Sequence, residues 1–322
     1  MTWRRARAKP APATGEPFVR VLAPPARRRG EAVAGRASGK GEPAESRLAR
    51  KANHGARLGL SDAELQFIDV GAAGEARRIA FRARAAREDR AGPGLVWLSG
   101  FKSDMASTKA QALDDYCARS GRALLRFDYS GHGASSGRFE DATITRWLEE
   151  TLAVIRAAAG GPRILVGSSM GGYLALLAAR ALAQAGEAGR LAGMALIAPA
   201  VDFTEALIWE RAPKEARRAI LEQGAWMRPS PYSPEPYPIT RALIEDGRRH
   251  LLLGGTIRTH CPVHILQGMR DEDVPYRHAL TLVEHIAGDP VTLTLIKDGD
   301  HRLARPQDLA LLISAIEALA SR

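Results

Sequence analysis

The chain has 322 residues, of which 45% are hydrophobic and 6% aromatic, with two cysteines and a formal charge of +10 at pH 7. That charge is confined: residues 1–60 hold 14 Lys and Arg against 4 Asp and Glu, and the remaining 262 hold 32 of each sign. A basic folded surface for nucleic acid is thereby excluded, and so is a membrane-spanning helix, because no apolar run reaches the ~18–20 residues that crossing requires.

Residues 1–60 are rich in Arg, Ala, Pro and Gly and poor in large apolar side chains. They cannot bury enough surface to offset the entropy of ordering, so they are expected to be a disordered basic tail. One reading is a bland tail or an upstream extension, with Ser61 opening the foldable sequence. A second is an Arg-rich, acid-poor organelle transit peptide, although Pro10, Pro12, Pro17, Pro24 and Pro25 interrupt any long amphipathic helix. The third is a nucleic-acid-binding tail. Against it, no aromatic residues interleave with the Arg clusters, and Trp3 and Phe18 stand alone.

Residues 61–322 suit one α/β domain with a sizeable core. Leu65–Val70 and Ile79–Arg84, flanking Gly71 and Gly74, predict an antiparallel hairpin. Strand-like runs follow at Leu95–Leu98, Leu124–Phe127, Ile164–Val166, Met194–Ile197, Val263–Leu266 and Val291–Ile296. Between them, Ile144, Trp147, Leu148, Leu152 and Ile155 share one helical face, as do Leu309, Leu312, Ile313 and Ile316. Near-continuous apolar strands alternating with amphipathic helices imply a mostly parallel, eight-stranded sheet covered on both faces. That is the α/β-hydrolase arrangement. After Met194–Ile197 the interval is too long for a crossover, and residues 201–258 are expected to form a helical cap over the carboxyl edge of the sheet. Phe203, Trp209, Trp226, Tyr232 and Tyr237 concentrate there, either lining a ligand pocket or forming the cap's own core. Cys117 and Cys261 lack metal or redox spacing and read as core thiols in a reducing compartment.

The chemistry centres on Gly167-Ser168-Ser169-Met170-Gly171. As a pentapeptide it is a weak signal; its place between an apolar strand and a helix makes it a nucleophile elbow, with Ser169 on a sharp turn that needs small neighbours. A serine hydroxyl needs an imidazole to take its proton, and the imidazole needs a carboxylate to fix its tautomer. In this fold the chain order is Ser, acid, His. Asp271 is the candidate acid on the spacing Gly268-x-x-Asp271-x-x-Val274-Pro275, with Asp273 and Glu272 as neighbouring alternatives. His301 is the candidate base, the one histidine in a loop directly after the final strand, where Asp300 reads as a turn-former. Of the others, His264 reads as a mid-strand core residue, and His278 and His285 lie on a helix facing away from the site. The oxyanion hole is expected to use the backbone N–H of Met170 and that of Phe101, whose ring is expected to form a wall of the acyl pocket. Asp128-Tyr129-Ser130-Gly131-His132-Gly133 reads as a tight structural loop. No Cys/His cluster has metal spacing and no phosphate-binding glycine motif is present, so no metal and no cofactor are expected.

Together these segments resemble the serine α/β-hydrolase superfamily over residues 62–322. Gly100-Phe101, Arg126-Phe127-Asp128-Tyr129-Ser130-Gly131, Gly167 to Gly172, Gly268-Met269-Arg270-Asp271 and Asp300-His301-Arg302 are similar to the subgroup of acyl-glucuronide esterases and palmitoyl-protein thioesterases, mitochondrial in mammals. The resemblance implies Ser169, Asp271 and His301 as the triad and a small-molecule ester or thioester, or an acylated protein, as substrate. It does not extend to the tail and is loose in the cap. The Ala/Arg/Gly-rich composition fits a GC-rich bacterial chain and a cytoplasmic location; a transit-peptide reading of the tail gives the mitochondrion instead. Two other functions share these motifs: a peptidase, amidase or acyltransferase on the same triad, and a non-catalytic binding protein on the same fold.

Overall fold

Alternate residues of the central strand Gly94–Leu98 supply the two cores of the molecule. Leu95 and Trp97 point to one face of the sheet, Val96 and Leu98 to the other, and all four are at most 1% exposed. Each such side chain contributes on the order of 1.5–3 kcal/mol. The computed structural model describes residues 20–22 and 64–322, apart from 73, 91, 159–160 and 231–233.

The strands are β1 (Arg20–Leu22), β2 (Leu65–Val70), β3 (Arg77–Arg84), β4 (Gly94–Leu98), β5 (Leu124–Phe127), β6 (Arg163–Ser168), β7 (Leu191–Ile197), β8 (Ala225–Arg228), β9 (Tyr237–Thr240), β10 (Val263–Gly268) and β11 (Val291–Ile296). The helices are α1 (Thr108–Ser120), α2 (Ile144–Ala157), α3 (Met170–Gln184), α4 (Lys214–Gln223), α5 (Arg241–Gly247), α6 (Tyr276–His285) and α7 (Pro306–Ala320), with a π-helical stretch at Thr204–Trp209. The main sheet runs β1-β2-β3-β5-β4-β6-β7-β10-β11. Pairing is antiparallel from β1 to β5 and parallel from β5 to β11. Helices α2, α3 and α6 bury their apolar stripes on one face, and α1 and α7 on the other.

The eight expected strands all form, several with one to three more residues than the apolar runs marked. Two features differ from expectation. Arg20–Leu22 adds a ninth strand antiparallel to β2, inside the segment expected to be disordered. The free edge of β2 offers unpaired backbone groups, and Arg-Val-Leu is β-prone enough to take them. The other readings of residues 1–60 lie outside the described residues.

The cap is not wholly helical either. Between the π-helical stretch with α4 and the helix α5, β8 and β9 form an antiparallel ribbon, with Met227 opposite Pro238. Two strands with no third neighbour are both edges, so a proline that cannot donate is tolerated.

Strand order reverses at β4, whose neighbours are β5 and β6. The loops leaving the carboxyl ends of β4 and β6 therefore diverge around a crevice, the usual ligand position of an open α/β sheet. The cap is tied over it. Asp246 of α5 accepts from Thr145 N–H and Oγ–H of α2 at 2.8 Å each. Tyr173 of α3 donates its hydroxyl to the His250 carbonyl at 2.9 Å. Within the cap, buried Asp202 takes the N–H groups of Leu252 and Leu253 at 2.9 Å and so joins its two ends.

Candidate active site

At the end of β6 the backbone turns in one residue. Ser169 has φ 54° and ψ −116°, a conformation costly for a side chain with Cβ, and the turn is held on both sides. Ser169 N–H donates to Ile197 O at 2.8 Å, and Ser169 O accepts from Gly172, Tyr173 and Ala200. The flanking glycines are required sterically: a Cβ on Gly171 would lie 2.0 Å from Leu98 O, and one on Gly167 2.5 Å from Gly171 O. Packing at van der Waals limits against β4 thus leaves Ser169 half-buried at the start of α3.

Asp271 and His301, 30 residues apart, meet where the loops after β10 and β11 run side by side. His301 Nδ1 is 2.8 Å from Asp271 Oδ2, and the carboxylate is fully buried. Asp271 Oδ1 accepts Val274 N–H at 2.8 Å, and Oδ2 also accepts Gln267 Nε2 at 3.1 Å. An acceptor-only carboxylate requires the proton on Nδ1, which leaves Nε2 as the basic nitrogen. Of the rival acids, Glu272 is exposed, and Asp273 stands with an oxygen within 4.8 Å of the pair. Asp300 makes the turn expected of it, Oδ1 accepting Leu303 N–H at 3.0 Å. His264 bonds Thr294 Oγ1 at 2.9 Å, half-buried rather than in the core, and His278 bonds Val201 O at 2.8 Å outside the site.

The loop after β4 lies against the elbow: a Cβ on Gly100 would be 3.5 Å from Ser169 Cβ. Among the described residues, no acceptor bonds the N–H of Phe101 or of Met170. The Asp128–Gly133 loop clamps this segment at two points. Buried Asp128 accepts Met105 N–H at 2.7 Å and Ala134 N–H at 2.8 Å. His132 Nε2 accepts Lys102 N–H at 3.1 Å while its Nδ1 faces Ser130 O at 3.2 Å, and Lys102 itself holds φ 60°. Burial, with Lys102 adding to it, pushes the His132 imidazolium down to about 4, so the ring is the neutral acceptor this bond needs.

Ser169 and His301 line one cavity of about 490 Å³. Phe101, Phe203, Leu207, Ile208 and Tyr237 give it an apolar wall, and Phe101 is packed edge-on against Phe139, Phe203 and Tyr237 at 5.1–5.6 Å. Of the cap aromatics, Trp209 and Trp226 pack against the core instead, and Tyr232 lies outside the described residues. Cys117 and Cys261 are buried free thiols, each pushed by burial up to about 12.

Comparison with known proteins places the chain in a family. Residues 95–235 match the family model described as serine aminopeptidase, S33. Palmitoyl-protein thioesterase ABHD10, mitochondrial, of Mus musculus is 37% identical over 231 residues, which is 71% of this chain and 76% of that protein. The chain belongs to the α/β-hydrolase family. A putative hydrolase from Agrobacterium vitis S4 shares 51% identity and superposes with a TM-score of 0.76 over 80% of this chain and 98% of that one. Mouse alpha/beta hydrolase domain-containing protein 10 gives 33% identity and a TM-score of 0.69 over the same shares. As an α/β-hydrolase of this group the chain is an enzyme of the esterase and thioesterase class.

Three features of this α/β-hydrolase's site were not visible in the sequence. Gln267, fully buried, steadies Asp271 from the end of β10, one residue beyond the apolar run Val263–Leu266 that the sequence marks. The clamp from Asp128 and His132 depends on a contact across 23 to 30 residues. Lys109 enters the cavity wall from α1, a position that no sequence motif marks.

Proposed function

We propose that the enzyme cleaves carboxylic esters or thioesters through an acyl-enzyme on Ser169. The observation that carries this reading is the 2.8 Å bond between His301 and buried Asp271 beside the cavity that His301 shares with Ser169 at a strained elbow. Ser169 Oγ attacks the carbonyl carbon while His301 Nε2 takes its proton. The oxyanion receives the N–H groups of Phe101 and Met170, each such donor being worth about 3 kcal/mol in a transition state. Collapse breaks the bond to the alkoxide or thiolate, which leaves with the proton from His301. Water, deprotonated by the same nitrogen, then releases the acid and restores Ser169. Asp271 holds the tautomer throughout.

The apolar wall of Phe101, Phe203, Leu207, Ile208 and Tyr237 supports an apolar acyl group. The name of the curated relatives supports a palmitoyl-thioester-like substrate, and the sequence resemblance an acyl-glucuronide-like one. Their mitochondrial label favours an organelle over the cytoplasm for this chain too; fusing residues 1–60 to a fluorescent protein tests it. The description of the family model leaves amide cleavage as a second reading.

The deciding experiment measures p-nitrophenyl esters from acetyl to palmitoyl, the matching thioesters and an aminoacyl anilide, on wild type and Ser169→Ala. Ester and thioester turnover with a chain-length optimum, lost in Ser169→Ala, is expected. Turnover retained in the variant overturns the mechanism, and faster anilide cleavage favours the amidase.

A further inference from the structure

We propose that the wall of this cavity formed by α1 is a leaving-group subsite that reads an anion, through Lys109, the Ser107 hydroxyl, the Trp97 indole N–H and the first turn of α1. The inference rests on the hydrolase reading above and adds to it the charge of the group expelled.

Trp97 is 1% exposed, forms part of the cavity wall, and its Nε1–H has no hydrogen-bond partner among the described residues. An indole N–H can only donate, so what it lacks is an acceptor. Ser107 lines the same cavity, and its buried Oγ is also unpartnered. As the residue before α1 it would ordinarily cap the helix, yet its side chain takes none of the first-turn N–H groups. Thr108 and Lys109 complete this wall, so the positive end of a 13-residue helix faces the cavity with its amides and an ammonium together. Buried donors without acceptors, beside a cation and a helix N-terminus, call for an anionic oxygen.

The side of the cavity follows from Lys109's one fixed contact. Its ammonium donates to the Arg302 carbonyl, next to His301. His301 delivers the proton to the leaving group in this mechanism, so that group departs beside Lys109. The charged groups around the ammonium are Arg302, Asp300 and Asp308. Asp308 bonds Arg305 and Asp300 bonds Leu303 N–H; both attract the ammonium through space, with Arg302 opposing them. The carboxylates on the cavity lining, Asp273 and Glu235, come from the loop after β10 and from the cap rather than from α1. A carboxylate and a phosphate share this chemistry.

The test compares three hexanoyl esters with one acyl group and different leaving groups: phenol, 3-hydroxybenzoate and 3-hydroxyphenyl phosphate. The ratio of kcat/KM for each anionic ester to that of the neutral one is the readout. A ratio of about 10 to 100 is expected in the wild type, the range of one charge-assisted hydrogen bond. The larger of the two ratios tells carboxylate from phosphate. Lys109→Met should bring the ratio close to one and Trp97→Phe should lower it severalfold. Arg180→Met, which removes a charge on α3, should leave it alone. If Lys109→Met does not fold, wild type alone decides: the ratio should fall between 0.05 and 0.5 M salt, and again as pH rises through about 8, where Lys109 loses its proton. Equal cleavage of all three esters, or a ratio indifferent to Lys109, salt and pH, overturns the subsite and leaves the hydrolase reading standing. No cleavage of any ester overturns both.

Discussion

Replacing His132 by Phe isolates the clamp on the Gly100–Lys102 loop, to which we assign an oxyanion donor. The ring sits edge-on to Tyr129, Phe139 and Trp147 at centroid distances of 5.3–6.0 Å, contacts that a phenyl ring retains. What is lost is the Nε2 acceptor 3.1 Å from Lys102 N–H. An orphaned buried N–H costs about 1–3 kcal/mol, and Lys102, at φ 60°, has a strained conformation to relax from. Relaxation there rotates the adjoining Phe101 peptide, and full loss of one oxyanion donor costs about 10²–10³ in kcat. We expect His132→Phe to lower kcat by about 10- to 100-fold with KM nearly unchanged. His132→Gln, which restores an acceptor oxygen, should recover most of it. Steady-state kinetics on a p-nitrophenyl ester, with thermal melts alongside, give the answer. A Tm loss without a kcat loss would refute the argument. The pH dependence carries its own sign. The unfolded ring binds its proton near 6.5 and the folded one only near 4. Stability present above pH 6.5 is therefore lost as pH falls toward 4, by up to about 3 kcal/mol, and His132→Phe should flatten that limb.

Other outcomes follow from the same contacts. Asp271→Asn presents a donor to His301 Nδ1, favours the wrong tautomer and should cost on the order of 10⁴-fold in kcat. Asp273→Asn should cost less than about tenfold, and the reverse order would reassign the acid. Gly171→Ala drives a methyl to 2.0 Å from Leu98 O; overpacking of this kind costs at least about 1–3 kcal/mol, so a melt within a degree or two of wild type would contradict the elbow geometry. Cys117 and Cys261, buried and held near 12, should resist a disulfide reagent at pH 8 in the folded protein and react once it is denatured. Fast reaction of the native protein would show that the core opens.

The sheet was legible because its central strands, β4 and β7 above all, are near-continuous apolar runs bounded by turn residues, and the outer ones alternate at the strand period. The elbow was legible because its small residues stand at fixed spacing between an apolar strand and a helix; Gly167 answers to Gly171 four residues on, whereas the contact that dictates Gly171, with Leu98 on β4, is a long-range one. Asp271 and His301 were legible from chain order, since each follows a strand end. Illegible were features built by distant segments meeting. The β8–β9 ribbon surrounds a proline-rich stretch whose local signal is for a loop. Arg20–Leu22 is too short for periodicity to register. Gln267, His132 and Lys109 owe their roles to partners at the far end of a loop or on another helix, and a single sequence carries no trace of such pairings.

The central claim is that Ser169 is the nucleophile. Incubating the folded enzyme with a fluorophosphonate and mapping the phosphonylated peptide by mass spectrometry tests it directly, with Ser169→Ala as control. One adduct on Ser169, absent from the folded variant, is the expected result. An adduct on another serine, or equal labelling of Ser169→Ala, would contradict the account.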